Sequence, residues 1–153
     1  MARVAIVTGG TRGIGAAISV GLKDAGYNVA ATYGGNDEAA NAFKEKTGIA
    51  VYKWDVGNFE ACQTGIAQVE SDLGPIEVMV NNAGITRDAM FHRMKPEAWS
   101  AVIATNLDSV FNMTRNVIEG MRERGFGRII AISSVTAKRA KWASRTTRRL
   151  RPA

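Results

Sequence analysis

A glycine-rich loop near the amino terminus has the composition of a phosphate-binding turn. Residues 8–15 read T-G-G-T-R-G-I-G and directly follow a short apolar run. Glycines let the backbone turn sharply and approach a ligand closely, and free N–H groups at a helix start attract the pyrophosphate of a dinucleotide. We therefore predict a dinucleotide site, the alternative being a turn that binds nothing. The predicted contacts are Gly9, Thr11, Arg12, Gly13, Ile14 and Gly15.

The end of the second predicted strand indicates which dinucleotide fits. A site for NAD carries an acid there, which binds the ribose 2′-hydroxyl. This chain has Tyr33 followed by two glycines, and the first acidic residue after them is Asp37. Arg12 is suited to pair with a 2′-phosphate through charge-assisted hydrogen bonds, the alternative being a solvated loop cation. We therefore predict NADP(H) as the cofactor, with Tyr33 beside it.

Short apolar runs alternate with helical patterns along most of the chain. In the first helix, Ile14, Ile18 and Leu22 repeat every four residues, and Gly26 ends the pattern. Pro96 suits the first position of a long helix. This alternation predicts an α/β fold with right-handed crossovers and a parallel sheet covered on both faces. The predicted strands are 3–8, 28–33, 50–54, 76–80 and 128–133, and the predicted helices are 14–25, 38–46, 59–73 and 96–124.

The composition argues against several classes of protein. The chain has 153 residues, 46% of them hydrophobic, with one Cys and one His. That length buries a core without a disulfide or metal, and a zinc site needs several closely spaced ligands, which Cys62 and His92 do not supply. No apolar run is long enough for a membrane span, and no signal peptide is recognisable. We therefore predict one cytoplasmic domain with no metal and no membrane association.

Four further motifs follow the loop in order. They are D-V at 55–56 after the third strand, N-N-A-G at 81–84 after the fourth, T-N-L at 105–107 in the long helix and S-S at 133–134. Together with the loop spacing T-G-x-x-x-G-x-G, they resemble the short-chain dehydrogenase/reductase family. The resemblance extends over residues 3–134.

The resemblance implies a role for each motif. In that family an asparagine such as Asn106 organises a water in a proton relay, and a serine such as Ser134 is catalytic. The implied fold is a Rossmann-type doubly wound parallel sheet with strand order 3-2-1-4-5, here truncated after the fifth strand. The implied parent protein is a homotetramer, which the truncated chain is not expected to form normally. The further cofactor contacts implied are Asp55, Val56, Asn82, Ala83 and Gly84.

Two segments narrow the resemblance within the family. Residues 84–92 and 51–55 are most similar to the acetoacetyl-CoA reductases of polyhydroxybutyrate synthesis, with the 3-oxoacyl-carrier-protein reductases as nearest relatives. The implied reaction is NADPH-dependent reduction of acetoacetyl-CoA, an acyl-CoA thioester, to 3-hydroxybutyryl-CoA. Asp88 and Arg87 are candidates to touch the acyl group, a solvated loop pair being equally plausible. A carrier-protein reductase and a non-catalytic nucleotide-binding fragment remain as alternatives.

Structural roles compete with functional ones at three residues. Asn106 lies four residues from both Val102 and Val110, so we predict it on the apolar face of the long helix, where its amide must find hydrogen bonds. A structural asparagine joining strand and helix is the alternative. Ser134 has the alternative of capping a turn, and Cys62 is predicted to be a small buried hydrophobic residue.

The net charge of +6 is concentrated at the carboxyl end. Residues 1–135 contain 13 Lys and Arg against 14 Asp and Glu, whereas residues 136–153 contain seven Lys and Arg and no acid. Such a basic segment is typical of an arm that binds nucleic acid or a membrane surface. The family resemblance favours another explanation, because the family's catalytic tyrosine and lysine fall where this chain has Thr147 and Arg151.

The genetic code offers an origin for the basic segment. If one base is missing in codon 136, synonymous codon choices restore VNGQKGQMGQSNYSAAKAG over codons 135–153, which resembles the family's catalytic segment. Its Q-x-x-Q spacing resembles the CoA-specific reductases. We therefore divide the chain into a dinucleotide-binding portion, 1–135, and an out-of-frame tail, 136–153, that binds no nucleic acid. The chain as written is predicted to be inactive, because neither threonine nor arginine is an acid near neutral pH.

Overall fold

Five strands alternate with helices in the structure, a computed structural model that describes residues 2–134. A short 3-10 turn over Phe91–Arg93 was not predicted. The strands are β1 (Val4–Val7), β2 (Asn28–Tyr33), β3 (Ala50–Lys53), β4 (Ile76–Asn81) and β5 (Arg128–Ala131). The helices are α1 (Gly13–Asp24), α2 (Asp37–Thr47), α3 (Phe59–Leu73), α4 (Pro96–Ile103) and α5 (Ser109–Glu123).

The strands form one parallel sheet with the order β3-β2-β1-β4-β5. This confirms the predicted fold class and strand order. The order reverses at β1, whose neighbours are β2 on one side and β4 on the other. In a doubly wound sheet this reversal opens a crevice beyond the carboxyl ends of the strands, which is where ligands bind.

The core has two layers because the central strands are apolar on both faces. All four residues of β1 are buried, as are Val78, Met79 and Val80 of β4. Ile6 and Met79 pack with residues of α3 and α5 on one face of the sheet. Residues of α1 and α2 cover the opposite face. The central strands are therefore covered on both faces.

Asparagine side chains fix the starts of two helices. The Asn36 side chain accepts a hydrogen bond from the Ala39 N–H at the start of α2, at 2.9 Å. Asn58 does the same for Ala61 at the start of α3, at 2.8 Å. These caps satisfy helix N–H groups that lack an intrahelical partner. They also fix where the helices that follow β2 and β3 begin.

The predicted long helix contains a π-helical turn. Ala104–Asp108 form this turn between α4 and α5. A π turn inserts one residue and rotates the side chains beyond it relative to an unbroken helix. Asn106 lies in this turn and is exposed, as is Leu107 beside it, so the expected burial of its amide was wrong.

The remaining predictions about structure have mixed outcomes. Cys62 is fully buried on α3, as predicted, and burial raises the pKa of its thiol to about 11. All four residues of β5 are exposed within the described part of the chain, including Ile129 and Ile130. The tail at 136–153 lies outside the described residues. No helix in the described range has the length and apolar character needed to cross a bilayer.

Candidate functional site

A cavity of about 770 Å³ occupies the predicted crevice. Its walls include every cofactor contact that the sequence analysis proposed: Gly9, Thr11, Arg12, Gly13, Ile14, Gly15, Tyr33, Asp55, Val56, Asn82, Ala83 and Gly84. The motifs are therefore brought together although they are far apart in sequence. Eight further lining residues were missed: Thr32, Gly34, Gly35, Asn36, Ala39, Trp54, Ile85 and Thr105.

The glycine loop turns tightly beneath the start of α1. Gly9 has a φ of +61°, which favours glycine. A methyl group on Gly15 would lie 2.1 Å from the Gly9 carbonyl oxygen and 2.5 Å from Nδ2 of Asn82. Within the described residues no side chain caps the first turn of α1, and the turn contains no acid. Gly13, Ile14 and Gly15 of this turn line the cavity, at the positive end of the helix dipole.

Ile14 corrects one detail of the sequence interpretation. Its spacing places it with the buried residues of α1, but its side chain is 67% exposed and lines the cavity. Its predicted place among the cofactor contacts agrees with this position.

The loop is tied to the end of β4 by Thr8. The Thr8 hydroxyl is buried and accepts hydrogen bonds from the backbone N–H groups of Asn82 and Ala83, both at 2.9 Å. In return, Nδ2 of Asn82 donates to the Thr8 carbonyl at 2.9 Å. These hydrogen bonds give the N-N-A-G motif a structural role, since they join the backbone of the motif to Thr8 at the start of the glycine loop. The two sides of the crevice are thereby fixed to each other.

The end of β2 presents no acidic group to the cavity. The first acid after β2 in the sequence is Asp37, whose carboxylate accepts a hydrogen bond from Nζ of Lys53 at 2.8 Å. Hydrogen bonds from Lys53 and then from Tyr33 lower the pKa of Asp37. Asp37 is not part of the cavity wall, whereas Arg12 is. In the described part of the chain, the charged residues of the cavity wall are therefore Arg12 and Asp55.

The wall after β3 offers polar groups for a ligand. Oδ1 of Asp55 accepts from the Gly57 N–H at 2.8 Å, which orients the carboxylate. Thr32 is fully buried, and its hydroxyl has no hydrogen-bond partner within the described residues. An unpartnered buried hydroxyl costs free energy, and this one belongs to a residue of the cavity lining. The site therefore fits a nucleotide better than an apolar molecule.

Asn106 joins the π-helical turn to the opposite wall. Its Oδ1 accepts from the Ile85 N–H at 2.8 Å, and its Nδ2 donates to the Ile85 carbonyl at 3.0 Å. This pair of hydrogen bonds agrees with the alternative of an asparagine that joins strand and helix. Asp88 and Ser134 are exposed and lie outside the cavity lining, so their predicted roles stay predictions.

Sequence comparisons identify a family and several relatives for this chain. A profile of the short chain dehydrogenase family matches residues 3–145. Acetoacetyl-CoA reductase from Shinella zoogloeoides is 66% identical over 141 residues, which cover 92% of this chain and 58% of that protein. Acetoacetyl-CoA reductase from Rhizobium meliloti is 64% identical with the same coverage. A 3-oxoacyl-(acyl-carrier-protein) reductase from Staphylococcus aureus is 41% identical, covering 88% of this chain and 57% of that protein.

The chain spans a little over half the length of these curated relatives. The family match nevertheless covers nearly all of the chain. It coincides with the parallel sheet, the glycine loop and the cavity at the strand-order reversal. The chain therefore belongs to the short-chain dehydrogenase family.

Proposed function

We propose that this chain carries the nucleotide-binding portion of an NADPH-dependent acetoacetyl-CoA reductase. The observation that carries the proposal is that the glycine loop, the end of β2 and the D-V and N-N-A-G motifs line the same cavity. The cofactor, when bound, would supply the hydride for the ketone carbon of acetoacetyl-CoA, and a proton delivered to the ketone oxygen would complete the alcohol. The names of the relatives at 66% and 64% identity support the choice of substrate.

The chain's own residues bind and orient the reactants. The N–H groups at the start of α1 hold the pyrophosphate, and the Asp55 carboxylate accepts a hydrogen bond from the adenine amine. Asn106 holds the backbone of Ile85 and orders a water beside the ketone. Ser134 donates a hydrogen bond to the ketone oxygen, and Asp88 contacts the acyl group.

Cofactor preference gives the direct test of this site. With the purified 153-residue chain, NADPH is expected to bind at least tenfold more tightly than NADH, because Arg12 faces a 2′-phosphate and no acid recognises a free 2′-hydroxyl. Arg12→Ala is expected to weaken NADPH about 10- to 100-fold and NADH less than threefold. Isothermal titration calorimetry measures both. Equal affinity for the two cofactors, or equal losses in the variant, would contradict the proposal.

A carrier-protein reductase is the second candidate. The 41% identical relative from Staphylococcus aureus carries that name. Docking an acidic carrier favours an uninterrupted cationic surface. Residues 122–124 read R-E-R, which mixes the signs of charge, and the relatives with higher identity are named for the CoA substrate. We therefore place acetoacetyl-CoA first.

Self-association is the third part of the proposal. Trp99, Leu107 and Phe111 are 56–64% exposed along α4, the π turn and α5, which leaves a large apolar surface for one chain. We assign a homotetramer to the intact enzyme and no normal assembly to the chain as written. Sedimentation velocity should find four-chain particles for the Shinella zoogloeoides relative and none for this chain. Tetramers of this chain would contradict the second half of that assignment.

The proposed compartment is a reducing one, because the proposed reaction consumes a reduced cofactor. Cys62 is a buried free thiol. A free thiol and an NADPH-dependent reaction both suit a reducing compartment. We place the protein in the cytoplasm, without a membrane or nucleic-acid partner.

A further inference from the structure

Helix α5 reaches the nucleotide cavity through one buried side chain. Nδ2 of Asn112 donates a hydrogen bond of 3.0 Å to the carbonyl of Val56, 56 residues earlier in the chain. Asn112 is 6% exposed and Val56 is 7% exposed, so neither group is solvated. Val56 lines the cavity, whereas Asn112 does not. The bond therefore connects a helix outside the site to its wall.

The Val56 carbonyl needs such a partner because the sheet ladder has already ended. The last backbone bond to the sheet in this segment runs from the Trp54 N–H to the Tyr33 carbonyl, at 3.1 Å. Beyond it, the chain turns through Asp55 into α3. The Cys62 thiol, 3.4 Å from the same carbonyl, is a weak donor. Asn112 is thus the strong donor that satisfies a buried backbone acceptor in the cavity wall.

Two packing contacts bring α5 and this wall together. The rings of Phe59 and Phe111 stack with centroids 6.1 Å apart. Gly57 lies against Ala104 of the π turn, where a methyl group on the glycine would be 3.3 Å from the alanine Cβ. These contacts hold α5 and the π turn against the segment that joins β3 to α3. The Asn112 amide is the stronger of the two side-chain donors that orient the Val56 carbonyl within the described residues.

We propose that Asn112 is a positioning residue for the adenine side of the cofactor site. The proposal rests on the proposed function, since it assigns the Asp55–Val56 wall to adenine. The Asn112 amide holds the backbone at Val56, and that backbone sets where the Asp55 carboxylate meets the ligand. Without this hydrogen bond, Asp55 and Val56 still line the cavity, but the position of their backbone is no longer fixed.

The test uses Asn112→Leu, which keeps the approximate volume but removes the donor, and Asn112→Asp, which places an acceptor against the carbonyl. The probes are NADPH and adenosine 2′,5′-bisphosphate, titrated calorimetrically into the 153-residue chain. Both variants should bind both probes about tenfold more weakly, by nearly equal factors, because both probes contain the adenosine that the wall contacts.

Asn116→Ala is the matched control. Nδ2 of Asn116 donates to the Asn112 carbonyl at 2.7 Å, so its loss also removes a side-chain hydrogen bond from α5 without touching the loop. Its affinities should stay within twofold of the unmodified chain. Hydrogen exchange at Gly57 and Asn58 should accelerate in the Asn112 variants but not in the control. A merely structural role would lower thermal stability in all three variants without this local difference.

Each outcome separates the two proposals. If the unmodified chain binds neither probe, the proposed function fails and this inference falls with it. If it binds both and the Asn112 variants match it, only the positioning role is overturned. If both variants unfold, the Asn112 side-chain amide is followed by NMR in the unmodified chain. Slower exchange on adding the bisphosphate supports the role, and unchanged exchange overturns it.

Discussion

Gly15→Ala is expected to weaken NADPH binding by at least 100-fold. The added methyl group would lie 2.1 Å from the Gly9 carbonyl oxygen, and a backbone oxygen cannot rotate away as a side chain does. The loop must then move off the start of α1, which withdraws the N–H groups intended for the pyrophosphate. Calorimetric titration with NADPH measures the loss, and urea unfolding should show a destabilisation of about 1–3 kcal/mol.

Gly21→Ala is the control for that prediction, because Gly21 lies in the same helix with nothing within 4 Å of an added methyl group. Alanine is the better helix residue, so this variant should gain about 0.5–1 kcal/mol and keep its affinity for NADPH. A Gly15→Ala chain that binds NADPH within threefold of the unmodified chain would show that the loop adapts freely. The close packing of Gly15 against the Gly9 carbonyl would then not limit the binding of NADPH.

The second large effect concerns catalysis. The 153-residue chain is expected to reduce acetoacetyl-CoA at least 100-fold more slowly than a chimera of residues 1–134 with the remaining carboxyl-terminal part of the Shinella zoogloeoides relative. General-acid catalysis contributes about 100- to 10,000-fold, and Thr147 and Arg151 of this chain cannot supply it. Loss of NADPH absorbance in the presence of acetoacetyl-CoA measures the rate.

The chimera also separates the substrate candidates. It should prefer acetoacetyl-CoA over an acetoacetyl thioester of a carrier protein, and Ser134→Ala should remove most of its activity. Equal rates for chimera and chain would sink the proposal that residues 136–153 are out of frame. Sequencing the source DNA across codons 130–160 gives the independent check, since a restored base in codon 136 would return the tyrosine and lysine codons to frame.

Much of the fold follows from local patterns in the sequence. β1 is apolar throughout, and β4 carries the apolar run Val78–Val80, as expected of strands that are buried on both faces. Asn36 and Asn58 mark helix starts through their side-chain oxygens. Strand boundaries were less certain, as β5 ends at Ala131 rather than at residue 133. Short strands end where hydrogen bonding to a neighbour stops, and that depends on the neighbour.

The parts of the site that were missed depend on tertiary contacts. Asn106 was placed with its helical neighbours by a regular period of 3.6 residues, and the π turn breaks that period without a Gly or Pro to mark it. Thr32 reads as an ordinary strand residue, and only the cavity beside it reveals an unpartnered hydroxyl. Asn112 likewise gives no local indication of its bond to Val56, because the two residues are 56 positions apart.

The Thr8 hydroxyl bonds have a consequence for how the chain folds. They join residues 74 and 75 positions apart, so the loop cannot take its final shape until β4 has docked beside β1. Such long-range closure is slow compared with forming the helices between them. On a ribosome adding about 5–20 residues per second, the glycine loop waits several seconds for the strand that completes it. A nucleotide that binds the finished crevice then acts as a latch on the β1–β4 pairing, because a ligand of the native state alone stabilises it by mass action.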